Sequence, residues 1–171
     1  MCSAELFIQH DIGHLSGRDA STPLSSLEFA VAQFEPKVLL VLADGTSEHV
    51  GAALDQARGG KPRADDPMQH VIDRTLVSAV RVMRQAERAA DAAEPAPSRA
   101  ASEEREQQLV VELDAFYTIE QLLRASPILR RAVNDARLEL HAAVLDKADG
   151  SVAFLGEHPA LSALLEEIRG E

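Results

Sequence analysis

A chain of 171 residues is long enough for one domain with a real hydrophobic core and too short for two comfortable ones. A formal charge of -11, from 28 acidic against 17 basic residues, opposes binding to phosphate backbones or anionic lipid, which need clustered Lys and Arg. Nucleic-acid and membrane partners are therefore not expected, and five Phe, one Tyr and no Trp leave a core that must be mostly aliphatic. The only cysteine, Cys2, can form no disulfide within the chain and no thiolate-rich metal site. The N-terminal MCSAELFIQHDIGH lacks a basic region followed by a long apolar run, and no stretch approaches a membrane span. The expectation is a single cytoplasmic domain over residues 1–171.

In chain order, Ala4 to Gln9 is short and β-prone and runs into the polar, Gly-containing stretch His10 to Thr22, which predicts a strand and a loop. From Pro23, Leu27, Ala30, Val31 and Phe34 fall at helical spacing, with Ser25 or Ser26 placed to cap the helix. Pro36 ends it. Lys37 to Ala43 (KVLLVLA) is an uninterrupted aliphatic run, as expected for a parallel strand buried on both faces. Asp44, Gly45 and Thr46 follow, and Ser47 is placed to cap a helix carrying Val50, Ala53 and Leu54.

A helix is predicted over roughly Pro67 to Ala92, with an apolar stripe of Val71, Ile72, Leu76, Val80 and Met83 that should pack on the sheet. Residues 92–102 (AAEPAPSRAAS) read as a flexible linker inside the domain. A helix from about Ser102 to Arg124 follows, then a shorter one from Pro127 through Asp135. Leu138 to Leu145 and Ser151 to Leu155, joined by the turn Asp146 to Gly150 (DKADG), predict a hairpin, and Pro159 to Ile168 closes the chain as a helix. The class is α/β, a mainly parallel sheet flanked by helices.

Specific words in this order resemble the β-carbonic anhydrases. AELFIQHDIGH (4–14) is similar to the family's GDLFVVRNAGN, and SLEFAV (26–31) to its SLEYAV helix. Val38 to Leu54 (VLLVLADGTSEHVGAAL) aligns without a gap on a buried strand, the metal-binding word GHTDCGAV and a helix. Asp114 to Leu129 and Leu138 to Phe154 resemble the family's Leu-rich helix with its SPIL-like close and its strand, turn and return strand. The resemblance covers most of the chain.

The resemblance implies zinc hydration chemistry, in which a metal held by three protein ligands lowers the pKa of a bound water to about 7. The family supplies two Cys and one His. Its first Cys lies in a word of the form CADSR, and this chain starts downstream of where that word should be, so the fold is expected to be N-terminally truncated. The His of GHTDCGAV aligns with Asp44 and its Cys with Ser47, so both ligand positions are changed. A neutral hydroxyl is a far poorer zinc ligand than a thiolate. In the family the missing strand lies between the AELF-like and KVLLVLA-like strands. Either the N-terminal strand pairs directly with Lys37 to Ala43, or it detaches or swaps to a partner, or the true start of the protein lies upstream, and an edge left open invites association.

The sequence therefore predicts a catalytically inactive homologue, without a cofactor, in a structural, regulatory or small-anion-binding role and assembled as a homo-oligomer. Gly45, Thr46 and Ser47, after a buried strand and at a helix N-terminus, are the candidate site for an anion such as bicarbonate. The bland alternative is that Ser47 is only a cap. The competing enzyme reading is carbonate dehydratase, the reversible hydration of carbon dioxide to bicarbonate, through zinc held by His10, His14 and Asp44, with His49 nearby. His141 is expected to be a half-buried, satisfied imidazole. The run Glu103 to Glu106 and Arg81, Arg84 and Arg88 read as solvated helix faces.

Overall fold

The computed structural model describes residues 6–10, 21–45, 48–62, 66–90 and 99–170. The elements in order are α1 (Ser21–Phe34), β1 (Val38–Asp44), α2 (Glu48–Ala57), α3 (Gln69–Ala90), α4 (Arg99–Ala125), α5 (Pro127–Asn134), β2 (Glu139–Leu145), β3 (Val152–Glu157) and α6 (Leu161–Gly170). Among the described residues the sheet has three strands in the order β1-β2-β3. β1 runs parallel to β2, with Val38 opposite Glu139 and Asp44 opposite Leu145. β3 returns antiparallel, with a register shift at Ala142/Ala143 opposite Gly156, whose φ is 84°. That left-handed conformation is one only glycine adopts without cost.

α4 is the helix that lies on the strands. Val111, Ala115, Ile119, Leu122 and Leu123 recur at three- and four-residue spacing and are fully buried against Val41, Leu140 and Ala142. α2 and α3 pack on each other and on α4. α3 was expected to pack on the sheet, and packs on these helices instead. Its buried face includes Arg74, Thr75 and Ser78 beside Val71, Ile72, Ala79 and Val82, whereas Leu76 and Val80 are only half-buried.

The junction of α4 and α5 explains the SPIL word. Ser126 is the N-cap of α5, its hydroxyl accepting from the Leu129 N–H at 3.1 Å, and Pro127 sits at the helix start, where no N–H is needed. The same hydroxyl donates to Glu28 Oε1 at 2.6 Å, which ties α1 to the junction. Arg130 Nη1 donates to the Leu123 and Arg124 carbonyls at 2.6 and 2.8 Å, satisfying two acceptors at the end of α4. α5 ends with Ala136 in a left-handed conformation, φ 51°, and an Arg137 N–H to Ala132 carbonyl bond of 2.9 Å.

Several expectations are corrected. α1 begins at Ser21, so Ser25 and Ser26 lie inside it, and the Ser26 hydroxyl donates back to the Thr22 carbonyl at 3.0 Å instead of capping. Pro23 is accommodated because it falls in the first turn. The expected linker over 92–102 is shorter at its far end, since α4 is already helical from Arg99, and residues 91–98 lie outside the described residues. The expected strand at 4–9 does not form over its described part. Residues 6–10 belong to no strand, with Leu6 81% and Ile8 62% exposed.

β1 is not buried on both faces either. Its odd-numbered residues Val41 and Ala43 point into the core, while Val38, Leu40 and Leu42 are 51%, 45% and 49% exposed. Helices cover one face of the sheet, and the other presents these three side chains with Val152 and Phe154 of β3.

Candidate functional site

The parallel pairing of β1 and β2 brings their carboxyl ends to the same border of the sheet, the position at which α/β proteins place ligands. The chain leaves β1 at Asp44 and Gly45 and enters α2 at Glu48. It leaves β2 into the turn Asp146 to Gly150, closed by an Asp146 N–H to Ser151 carbonyl bond of 2.9 Å and a Gly150 N–H to Asp146 carbonyl bond of 2.8 Å. This turn carries Lys147 onto β1, where its ammonium donates to Asp44 Oδ2. In the same turn the Ser151 hydroxyl, and then its backbone N–H, hold the Asp149 carboxyl below the usual carboxylate range.

Beside these strand ends lies a cleft of about 660 Å³, bordered by Gly45, Glu48, Glu104, Gln107, Asp146 and Ser151 among others. Among the described residues its lining carries three carboxylates and no Lys or Arg. A cleft so lined repels small anions. The Gly45 N–H is also engaged, donating to the Leu145 carbonyl at 2.9 Å, and a Cβ at residue 45 would meet that oxygen at 3.1 Å. Gly45 therefore serves close strand packing. Thr46 and Ser47, the other two candidate anion ligands, lie outside the described residues.

Of the alternative zinc set, His10 is exposed at the end of the 6–10 segment, Asp44 is engaged by Lys147, and His14 lies outside the described residues. Among the described residues no three His, Cys, Asp or Glu side chains come together in a way that could hold a metal ion. His141 departs from the satisfied imidazole expected. Its Nε2 is 3.0 Å from Glu139 Oε2 and its ring tilts against Phe154 with centroids 5.2 Å apart, but its Nδ1 is buried without a hydrogen-bond partner.

Sequence reading missed two polar features. Lys147 sits in a segment read only as a turn, and nothing in the spacing of DKADG signals a partner more than a hundred residues earlier. Arg74 is nearly buried between α3 and α4, donating to Thr118 Oγ1 at 2.9 Å with its guanidinium 5.6 Å from the Tyr117 ring centre. The long buried faces of both helices gave the only hint, because a charged residue recurring within such a stripe must find a partner there.

The fold, an α/β sheet with its candidate site at the carboxyl ends of β1 and β2, is that of the β-carbonic anhydrases. The family model for carbonic anhydrase matches residues 1–152, and the chain belongs to the β-carbonic anhydrase family. Solved structures similar to it include one of two tetrameric β-carbonic anhydrases of the filamentous ascomycete Sordaria macrospora, at 22% identity over 84% of this chain with a TM-score of 0.55. Another is the β-carbonic anhydrase CafA of the fungal pathogen Aspergillus fumigatus, at 18% identity over 91% of this chain with a TM-score of 0.58. This chain spans 64% and 65% of the lengths of those two chains. No curated protein matches it. Among the described residues no helix is long and apolar enough to cross a membrane.

The residues present do not fit the family's zinc. Position 44 holds a carboxylate bound to an ammonium, and position 47 a hydroxyl. No residue added upstream would change positions 44 and 47.

Proposed function

We propose that this chain is a carbonic anhydrase family member that does not hydrate carbon dioxide and acts as a homo-oligomeric structural or regulatory subunit in the cytoplasm. The observation that carries this reading is the ion pair at the former ligand position. Asp44 stands where the family has its histidine, and its carboxylate is occupied by Lys147. A cation bound there would have to displace the ammonium, and zinc would then find a carboxylate and an alcohol where the family offers an imidazole and a thiolate. Assembly is supported by the tetrameric β-carbonic anhydrases among the similar structures. The charge of the cleft beside Gly45 argues against bicarbonate as the ligand, so any anion-binding role rests on Thr46 and Ser47.

The test is zinc content per chain on protein purified from zinc-supplemented medium, followed by stopped-flow carbon dioxide hydration on the same sample. No zinc and no hydration above buffer is the expected result. Near-stoichiometric zinc with hydration would overturn the reading and direct attention to His10, His14 and Asp44.

A further inference from the structure

His158 lies in the connection from β3 to α6, and its ring is nearly enclosed. The side chain is 11% exposed and meets Phe116 of α4 edge to face, with ring centres 5.5 Å apart. The Ala160 N–H donates to its Nδ1 at 3.1 Å. A backbone N–H can only donate, so Nδ1 holds a lone pair and the ring is neutral, with its proton on Nε2. That nitrogen lies 3.3 Å from Glu120 Oε1 of α4 and donates to it. Only this tautomer uses both ring nitrogens. Pro159 carries no N–H and fixes its own φ, so the Ala160 N–H is the first amide beyond the ring that it can hold. The His158 carbonyl accepts from Leu161 and the Ala160 carbonyl from Leu164, each at 3.0 Å, which makes this short turn the start of α6.

We propose that His158 is a pH-sensitive latch on the first turn of α6, closed when the imidazole is neutral and open when it is protonated. The imidazolium carries an N–H at both nitrogens and accepts nothing. Its Nδ1–H then points at the Ala160 N–H, donor against donor, and one side must move. The charges around the ring decide which. From α4, Glu120 holds the cation at Nε2, and from α3, Arg81 Nη1 stands 3.9 Å from the same carboxylate oxygen. Glu157, at the end of β3, is exposed, and α6 carries no charged residue before Glu166. The N-terminal end of the α6 dipole is itself positive and disfavours the new charge. The ring therefore stays on α4, and the Ala160 side is released. The far end of α6 remains tethered, with Arg124 donating to Glu167 and Arg169 to Asn134, each at 2.6 Å. Acid opens the first turn and leaves the rest of the helix docked.

The experiment is a pH titration of the full chain by nitrogen-15 NMR, which reads the protonation of each ring nitrogen of His158, together with amide exchange at Ala160. Exchange is expressed as a protection factor, which removes its intrinsic pH dependence, and Ile119 in the core of α4 serves as the reference amide. At the alkaline end the proton is expected on Nε2 and not on Nδ1. As the ring titrates, Ala160 protection should fall about fivefold, the equivalent of one lost hydrogen bond, with the midpoint of the ring, while Ile119 stays unchanged. In His158→Asn the side-chain oxygen can still accept from the residue two positions on but cannot titrate, so Ala160 should remain protected at every pH. A neutral ring with its proton on Nδ1 overturns the inference, as does Ala160 protection that is flat through the ring's titration. An equal fall in His158→Asn assigns the response to another group, and a parallel fall at Ile119 makes it a loss of the whole fold. Both of these also overturn the latch. The titration of the unaltered protein decides the matter if the variant fails to fold.

Discussion

Replacing Ser126 with alanine removes two interactions with one atom, and the structure separates them. The hydroxyl caps α5 by accepting from Leu129 and clasps α1 by donating to Glu28, and the residue is fully buried. Loss of a serine N-cap costs about 1 kcal/mol. Loss of a hydrogen bond to a carboxylate costs about 1.5–3 kcal/mol. Ser126→Ala should therefore destabilise the fold by about 3 kcal/mol, with little cavity term because alanine nearly fills the space. Glu28→Ala removes only the second interaction and should cost about 1.5 kcal/mol, and the double variant should be close to Ser126→Ala, the signature of a shared contact. Urea unfolding at unchanged slope gives the three values. A Ser126→Ala cost below about 1 kcal/mol, or additive effects of the two changes, would refute this account of the junction.

Two further predictions rest on other parts of the molecule. Leu140, fully buried on the central strand between α4 and its neighbours, should cost about 3–5 kcal/mol when changed to alanine, because strands on both sides limit collapse of the cavity; urea unfolding checks it. The Asp149 carboxyl, held down by Ser151, should titrate below its ordinary 3.8 by carbon-13 NMR and move up towards that value in Ser151→Ala. Since its folded pKa is depressed, the stabilisation it brings is present above the unfolded value and disappears as pH falls through the folded one, so the effect is confined to acid below about pH 4. A wild-type midpoint at or above 3.8 would contradict the hydrogen-bonding assigned to the turn.

Much of the architecture was legible because it is written locally. The aliphatic run of β1, the periodic stripe of α4, Pro127 after Ser126 and the Asp- and Gly-bearing turn before β3 each specify their own segment. What failed depended on partners distant in sequence. Ala4 to Gln9 has the composition of a strand, but a strand exists only by pairing, and composition says nothing about whether a neighbour is at hand. The apolar character of both faces of β1 was read correctly from the residues, and the error lay in assuming that the chain itself covers both. The pairing of Asp44 with Lys147 was equally hidden, since one ends a strand and the other lies in a turn, and the local grammar of each is complete without the other. The start of α1 was missed because Ser25 and Ser26 offered a good local cap, while the fold continues the helix a turn further back.

The separation of β1 from β2 in the chain bears on how the protein is made. Residue 38 pairs with residue 139, so the most apolar strand leaves the ribosome roughly 100 residues before its partner, a wait of roughly 5–20 s at ordinary rates of synthesis. Through that interval KVLLVLA is an aggregation-prone window on a growing chain. Pro36 and Lys37 on one side and Asp44 on the other act as its gatekeepers, and they flank the strand without interrupting the aliphatic surface that the finished protein needs. Removing the flanking charges should leave the folded state nearly unchanged and lower the soluble yield, a cost borne entirely during translation.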